Sequence, residues 1–71
     1  MERVTTAESL GDIIRAERKR QGLTQLELAD VSGVGITFVS QLENGKETAE
    51  LGKALSVVAM LGIDLFADRR A

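Results

Sequence analysis

The chain contains no cysteine and no histidine, which excludes disulfide staples and the usual zinc sites. Cysteine-free composition suits a reducing cytoplasm. With tyrosine also absent, general acid–base and nucleophilic chemistry would have to run without its commonest agents, and no serine has an evident activating base nearby. The reading is therefore of a protein that is not an enzyme and carries no metal or cofactor. Long hydrophobic runs are missing too. The longest, LSVVAML at 55–61, is far too short to span a bilayer, and the opening MERVTTAESL has no apolar core of the secretory kind. A soluble cytoplasmic location is expected, with no membrane partner.

Only 71 residues are present. A chain of that size buries roughly 60% of the surface exposed when unfolded, so a monomer is marginal and oligomerisation is the remaining staple. Apolar residues make up 44% and charged residues 28%, a globular balance. The formal net charge of −2 argues mildly against a nucleic-acid partner, whose affinity rests on phosphate neutralisation. Distribution weakens that objection, because Arg15, Arg18, Lys19, Arg20 and Lys46 lie in the front two thirds and Asp64 and Asp68 in the tail.

Proline is absent, so glycine is the punctuation: Gly22, Gly33, Gly45 and Gly62 each follow a run of helical period, as C′ residues do. A first helix is expected from a capping box at Thr5-Thr6-Ala7-Glu8, with Leu10, Ile13 and Ile14 on its apolar face. Its basic end, Arg18, Lys19 and Arg20, is accounted for by helix-dipole electrostatics on a solvated face. Thr24 and Glu27 form the clearest box in the chain and open a second helix that stops at Gly33. Ile36-Thr37-Phe38-Val39 and the Asn44-Gly45 dipeptide also suit a hairpin. Alternation fails at Ser40 and the residues after Gly45 make a poor strand, so a third helix from Ile36 to about Asn44 is preferred, with Gly35 as N-cap and Val39 and Leu42 inward. A fourth, about 49–61, places Leu51, Ala54, Leu55, Val58 and Leu61 on one side. From Ile63 the period changes towards two, which reads as a short strand lacking an internal partner.

Gly33 and Gly35 make sense if one helix must stop and another start within three residues. From Gln25 onward, Ala29, Gly33, Val39 and Leu42 fall at the fifth, ninth, fifteenth and eighteenth places of a span that resembles the helix-turn-helix of the Cro/phage-repressor (XRE) family. Gly22-Leu23-Thr24-Gln25, Glu27-Leu28-Ala29 and Glu43-Asn44-Gly45-Lys46 are similar to its most recurrent wording. The resemblance implies an all-α, lambda-repressor-like bundle of four to five helices over residues 1–62, a transcriptional repressor acting on a double-stranded DNA operator. It also implies an Arg18–Glu43 ion pair joining the first and third helices.

Carried over by position, Gly35, Ile36, Thr37, Ser40 and Gln41 would face the major groove, and Gln41 would read adenine through its carboxamide. Ile36 departs from the polar residue usual in the family and would meet a thymine methyl. Gln25, Asn44 and Lys46 would touch phosphates, with Arg18, Lys19 and Arg20 as secondary contacts. The layout after Gly62 is similar to that of HipB-type antitoxins. This implies that Ile63, Asp64, Leu65, Phe66 and Ala67 form a strand paired across a homodimer, that residues 63–71 are the dimerisation tail, and that a HipA-like kinase toxin is a partner. A stand-alone repressor, or an interaction module using the same fold, are the alternatives.

Overall fold

A computed structural model describes residues 1–70. It contains α1 (Ala7–Arg20), α2 (Gln25–Ser32), α3 (Ile36–Glu43) and α4 (Leu51–Met60). α2 packs on α3 and on α4, while α1 packs on α3. Ile14, Leu28, Val39 and Val57 are fully enclosed between them, with Ala29, Leu42, Ala54, Val58 and Leu61 completing the core.

The helix boundaries follow from local chemistry. Thr24 accepts from the Glu27 amide at 3.0 Å while Glu27 accepts from the Thr24 amide at 2.9 Å, so two otherwise unsatisfied donors are closed reciprocally. At the start of α1 the box lies one residue later than expected. The cap is Thr6, not Thr5, and Ser9, not Glu8, closes it, accepting from the Thr6 amide at 3.0 Å and returning its own amide to Thr6 Oγ1 at 3.0 Å. A serine at that position reaches the same donor that a longer glutamate would.

All four helices end in the same device. Gly22, Gly33, Gly45 and Gly62 have φ between 71° and 79°, and the residue after each returns its amide to a carbonyl five positions back: Leu23 to Arg18, Val34 to Ala29, Lys46 to Gln41, Ile63 to Val58. This is the Schellman motif, and its left-handed residue is what demands glycine. Gly35 is different. Its φ of −79° is open to any residue, and a Cβ there would meet nothing within 4 Å.

Two further expectations are corrected. α4 buries Ala54, Val57, Val58 and Leu61, whereas Leu51 and Leu55 are exposed, Leu51 by 69%. Both stripes have helical spacing and share Ala54, Val58 and Leu61, so the contact with α2 selects Val57 over Leu55. The C-terminal strand is also absent. Residues 63–70 form no strand; among the described residues no ladder partner lies beside them, and a strand is defined by the hydrogen bonds of its neighbour. The tail instead runs near the N-terminal segment, where Met1, Val4, Leu10, Leu65 and Phe66 line an open groove. Accessible surface totals 5177 Å², more than the roughly 4,300 Å² of a compact monomer of this mass. Among the described residues no helix is long and apolar enough to cross a membrane.

Candidate nucleic-acid interface

The turn between α2 and α3 is three residues, 33–35, and it throws α3 across α2 with one face outward. Val39, Leu42 and Glu43 are buried on the inner side. Gly35, Ile36, Thr37 and Asn44 are exposed, and Ser40 and Gln41 are half-buried. Positions 36, 37, 40, 41 and 44 share one helical face, so the structure brings the expected groove-facing residues together. Ile36 remains 45% exposed, an apolar side chain left partly in water.

α3 is held from behind at three points. The first is a close approach to α1: a Cβ on Gly11 would lie 2.5 Å from the Leu42 carbonyl oxygen and 2.8 Å from that of Glu43. The second lies just beyond the helix, where a Cβ on Gly45 would sit 2.8 Å from Glu8 Cα. The third is the Arg18–Glu43 pair. Arg18 Nε donates to Glu43 Oε2 at 2.6 Å, one terminal nitrogen donates to Oε1 at 2.9 Å, and the other donates to the Leu23 carbonyl at 2.9 Å. Gln25 adds a third donor to the Glu43 carboxylate, Nε2 to Oε1 at 3.2 Å.

Burial acts to raise the Glu43 pKa, but the hydrogen bonds from Arg18 and Gln25 and the positive charges of Arg18 and Arg15 outweigh it, and the carboxyl is held below its ordinary value of 4.5. Arg18 is pushed up, chiefly by its bonds to Glu43. Such a pair contributes orientation more surely than net stability, because both ions are taken out of water. Here the orientation is that of the outward face of α3.

The expected phosphate contacts separate into two groups. Arg18 is corrected. It is 8% exposed and spends its donors on Glu43 and Leu23, so its charge is not presented to the surface. Arg20 is also engaged, donating to Glu17 at 2.6 and 2.8 Å, and Glu17 is lowered to about 2, first by that bond and then by Gln21. Gln21 in turn donates to the Leu61 carbonyl at 2.8 Å, which ties this end of α1 to α4 rather than to α3. Lys19 is exposed there. Gln25, Asn44 and Lys46 belong to the α3 side. Gln25 is half-buried at the first position of α2, where unpaired amides suit an anion. Glu27 shares that turn, its pKa lowered by the Thr24 backbone bond, and its negative charge opposes a phosphate there. Lys46 donates to Gln41 Oε1 at 3.2 Å.

Two features escape the sequence reading. Gly11 lies inside a helix, beside the inward Leu10 and Ile14, where glycine costs about 1 kcal/mol relative to alanine. An interior glycine on an apolar face is the signal that another backbone passes close. Lys53 in α4 places its ammonium 5.9 Å from the Phe38 ring of α3 and 3.6 Å from Glu50. No local pattern announces that contact.

A helix-turn-helix family model matches residues 14–66. The uncharacterized HTH-type transcriptional regulator y4mF of Sinorhizobium fredii (strain NBRC 101917 / NGR234) is 48% identical over 67 residues, covering 92% of this chain and 88% of that protein. Among solved structures, a chain of a HipA-HipB-O2-O3 complex superposes with a TM-score of 0.89 and one of a HipB-O4 20mer complex with 0.88, each at 20% identity and over the full length of both chains; at that identity the likeness bears on the fold. Two helices joined by a three-residue turn, an outward face on the second, and these matches together place the chain in the helix-turn-helix family.

Proposed function

We propose that the protein is a sequence-specific DNA-binding transcriptional regulator, a repressor that binds a palindromic operator as a homodimer. The observation that carries this reading is the outward face of α3, where Gly35, Ile36, Thr37, Ser40 and Gln41 stand together while Glu43, the one acidic residue of the helix, is buried and paired. A face without net negative charge, projecting at the end of a short turn, is what entry into a major groove requires. Ile36 supplies the apolar contact suited to a thymine methyl. Gln25, Asn44 and Lys46 flank that face and position the domain on the phosphates, and exposed Lys19 is a peripheral contact. The name of the relative, an HTH-type transcriptional regulator, supports the same class.

Dimerisation is supported by apolar surface the chain leaves uncovered: Leu51, Leu55 and Met60 on α4, and Leu65 and Phe66 in the tail. A two-fold dimer would set two recognition helices about 34 Å apart, one turn of DNA. A second reading, that of an antitoxin to a HipA-type kinase, is favoured by the full-length fold match to chains of HipB complexes. A kinase-like gene beside this one supports it, and the absence of such a gene favours a stand-alone regulator.

The test is binding to duplex fragments from upstream of the protein's own gene, followed across ionic strength, with the oligomer measured by light scattering. Specific binding by a dimer that weakens steeply with salt is expected. Failure to bind any fragment at low salt leaves an interaction module and overturns the proposal.

A further inference from the structure

The Schellman motif commonly brings together the side chains of its last residue and the residue five positions back, usually as an apolar contact. At three of the four helix ends the last residue of the motif, Leu23, Val34 or Ile63, is apolar and partly buried against the core. At the end of α3 the same position is Lys46. Its backbone amide donates to the Gln41 carbonyl at 3.0 Å, and its ammonium donates to Gln41 Oε1 at 3.2 Å. The pair is thus doubly tied, by a turn whose glycine is backed against Glu8.

An ammonium has three donors and no acceptor, so it can hold a carboxamide by its oxygen only. Gln41 therefore turns Oε1 towards Lys46, which occupies one of that oxygen's two lone pairs, and keeps both Nε2 donors free. A lone glutamine pairs with adenine by accepting from N6 and donating to N7. With a positive charge at its oxygen, Gln41 presents donors from both side chains, and an approaching N6 amino group meets a cation. Guanine offers two acceptors, N7 and O6, at the same edge.

We infer that Lys46 and Gln41 act as one reading unit that selects guanine at a position where a lone glutamine would select adenine. This rests on the DNA-binding reading above and adds a specificity role to Lys46, which as a phosphate contact would strengthen all sequences alike.

The experiment is selection from a randomised duplex DNA pool with the wild-type chain, Gln41→Ala and Lys46→Met. Lys46 is exposed, so methionine keeps the stem and leaves the fold in place, as circular dichroism will check. The wild type should enrich a site in which one position per half-site prefers guanine and loses its preference in Gln41→Ala. Lys46→Met should move that same position to adenine, by at least about fivefold. A Lys46→Met site with the base unchanged and binding uniformly weaker overturns the inference, as does a wild-type preference for adenine there. No enriched sequence from the wild type at low salt is a different result, and it removes the DNA-binding reading itself.

Discussion

Glu43→Gln is the sharpest test of how α3 is held. Oε2 accepts from Arg18 Nε, and Oε1 accepts from both Arg18 and Gln25. An amide has one oxygen, so either orientation points an NH2 at a donor, and the less costly one sets it against Arg18 Nε. The guanidinium stays charged beside a neutral partner, with its side chain only 10% exposed and that of residue 43 only 2%. Removing one partner of such a buried pair costs about 3–5 kcal/mol. The retained amide oxygen places glutamine at the lower end, about 3 kcal/mol. Against a total of roughly 4–11 kcal/mol for 71 residues, that should lower the thermal midpoint by about 12 °C or more.

The pH dependence isolates the same group. Because the folded pKa of Glu43 lies below 4.5, its contribution is complete above the unfolded value and is lost as pH falls through the folded one. Stability of the wild type minus that of Glu43→Gln, measured by urea unfolding, should therefore shrink as pH drops below about 4.5. Glu17→Gln breaks a pair whose Arg20 partner is 71% exposed and should lower the midpoint much less than Glu43→Gln does. A loss of under about 1 kcal/mol in Glu43→Gln, or a difference that does not vary with pH, would refute the account of this pair.

Gly11→Ala should destabilise by about 1–3 kcal/mol, although alanine is the better helix former, because its Cβ would strike the Leu42 carbonyl at 2.5 Å; a gain in thermal midpoint would contradict the close approach. Thr24→Ala removes the cap on the Glu27 amide and should cost about 1 kcal/mol in denaturant unfolding. Gln41→Ala should relax base preference at one position per half-site by about 1–3 kcal/mol with little change in stability, read by competition between operator variants.

The helical class, its punctuation and the turn between α2 and α3 are local properties, and the sequence by itself determined them. A left-handed residue is needed to end each helix and glycine is the residue that adopts it, so Gly22, Gly33, Gly45 and Gly62 mark boundaries without reference to anything distant. Thr24 and Glu27 act within one turn, and the outward face of α3 follows from the inward spacing of Val39 and Leu42.

Tertiary structure decided the rest, because each remaining question depends on what lies across the core. α4 is apolar around most of its circumference, and contact with α2 chose Val57 over Leu55. Gly11 matters through the carbonyls of a helix some thirty residues away. Arg18 looked like one more surface cation at a helix end until the fold set Glu43 against it and buried both, and the Ile63–Ala67 alternation formed no strand because none of the described residues pairs with it.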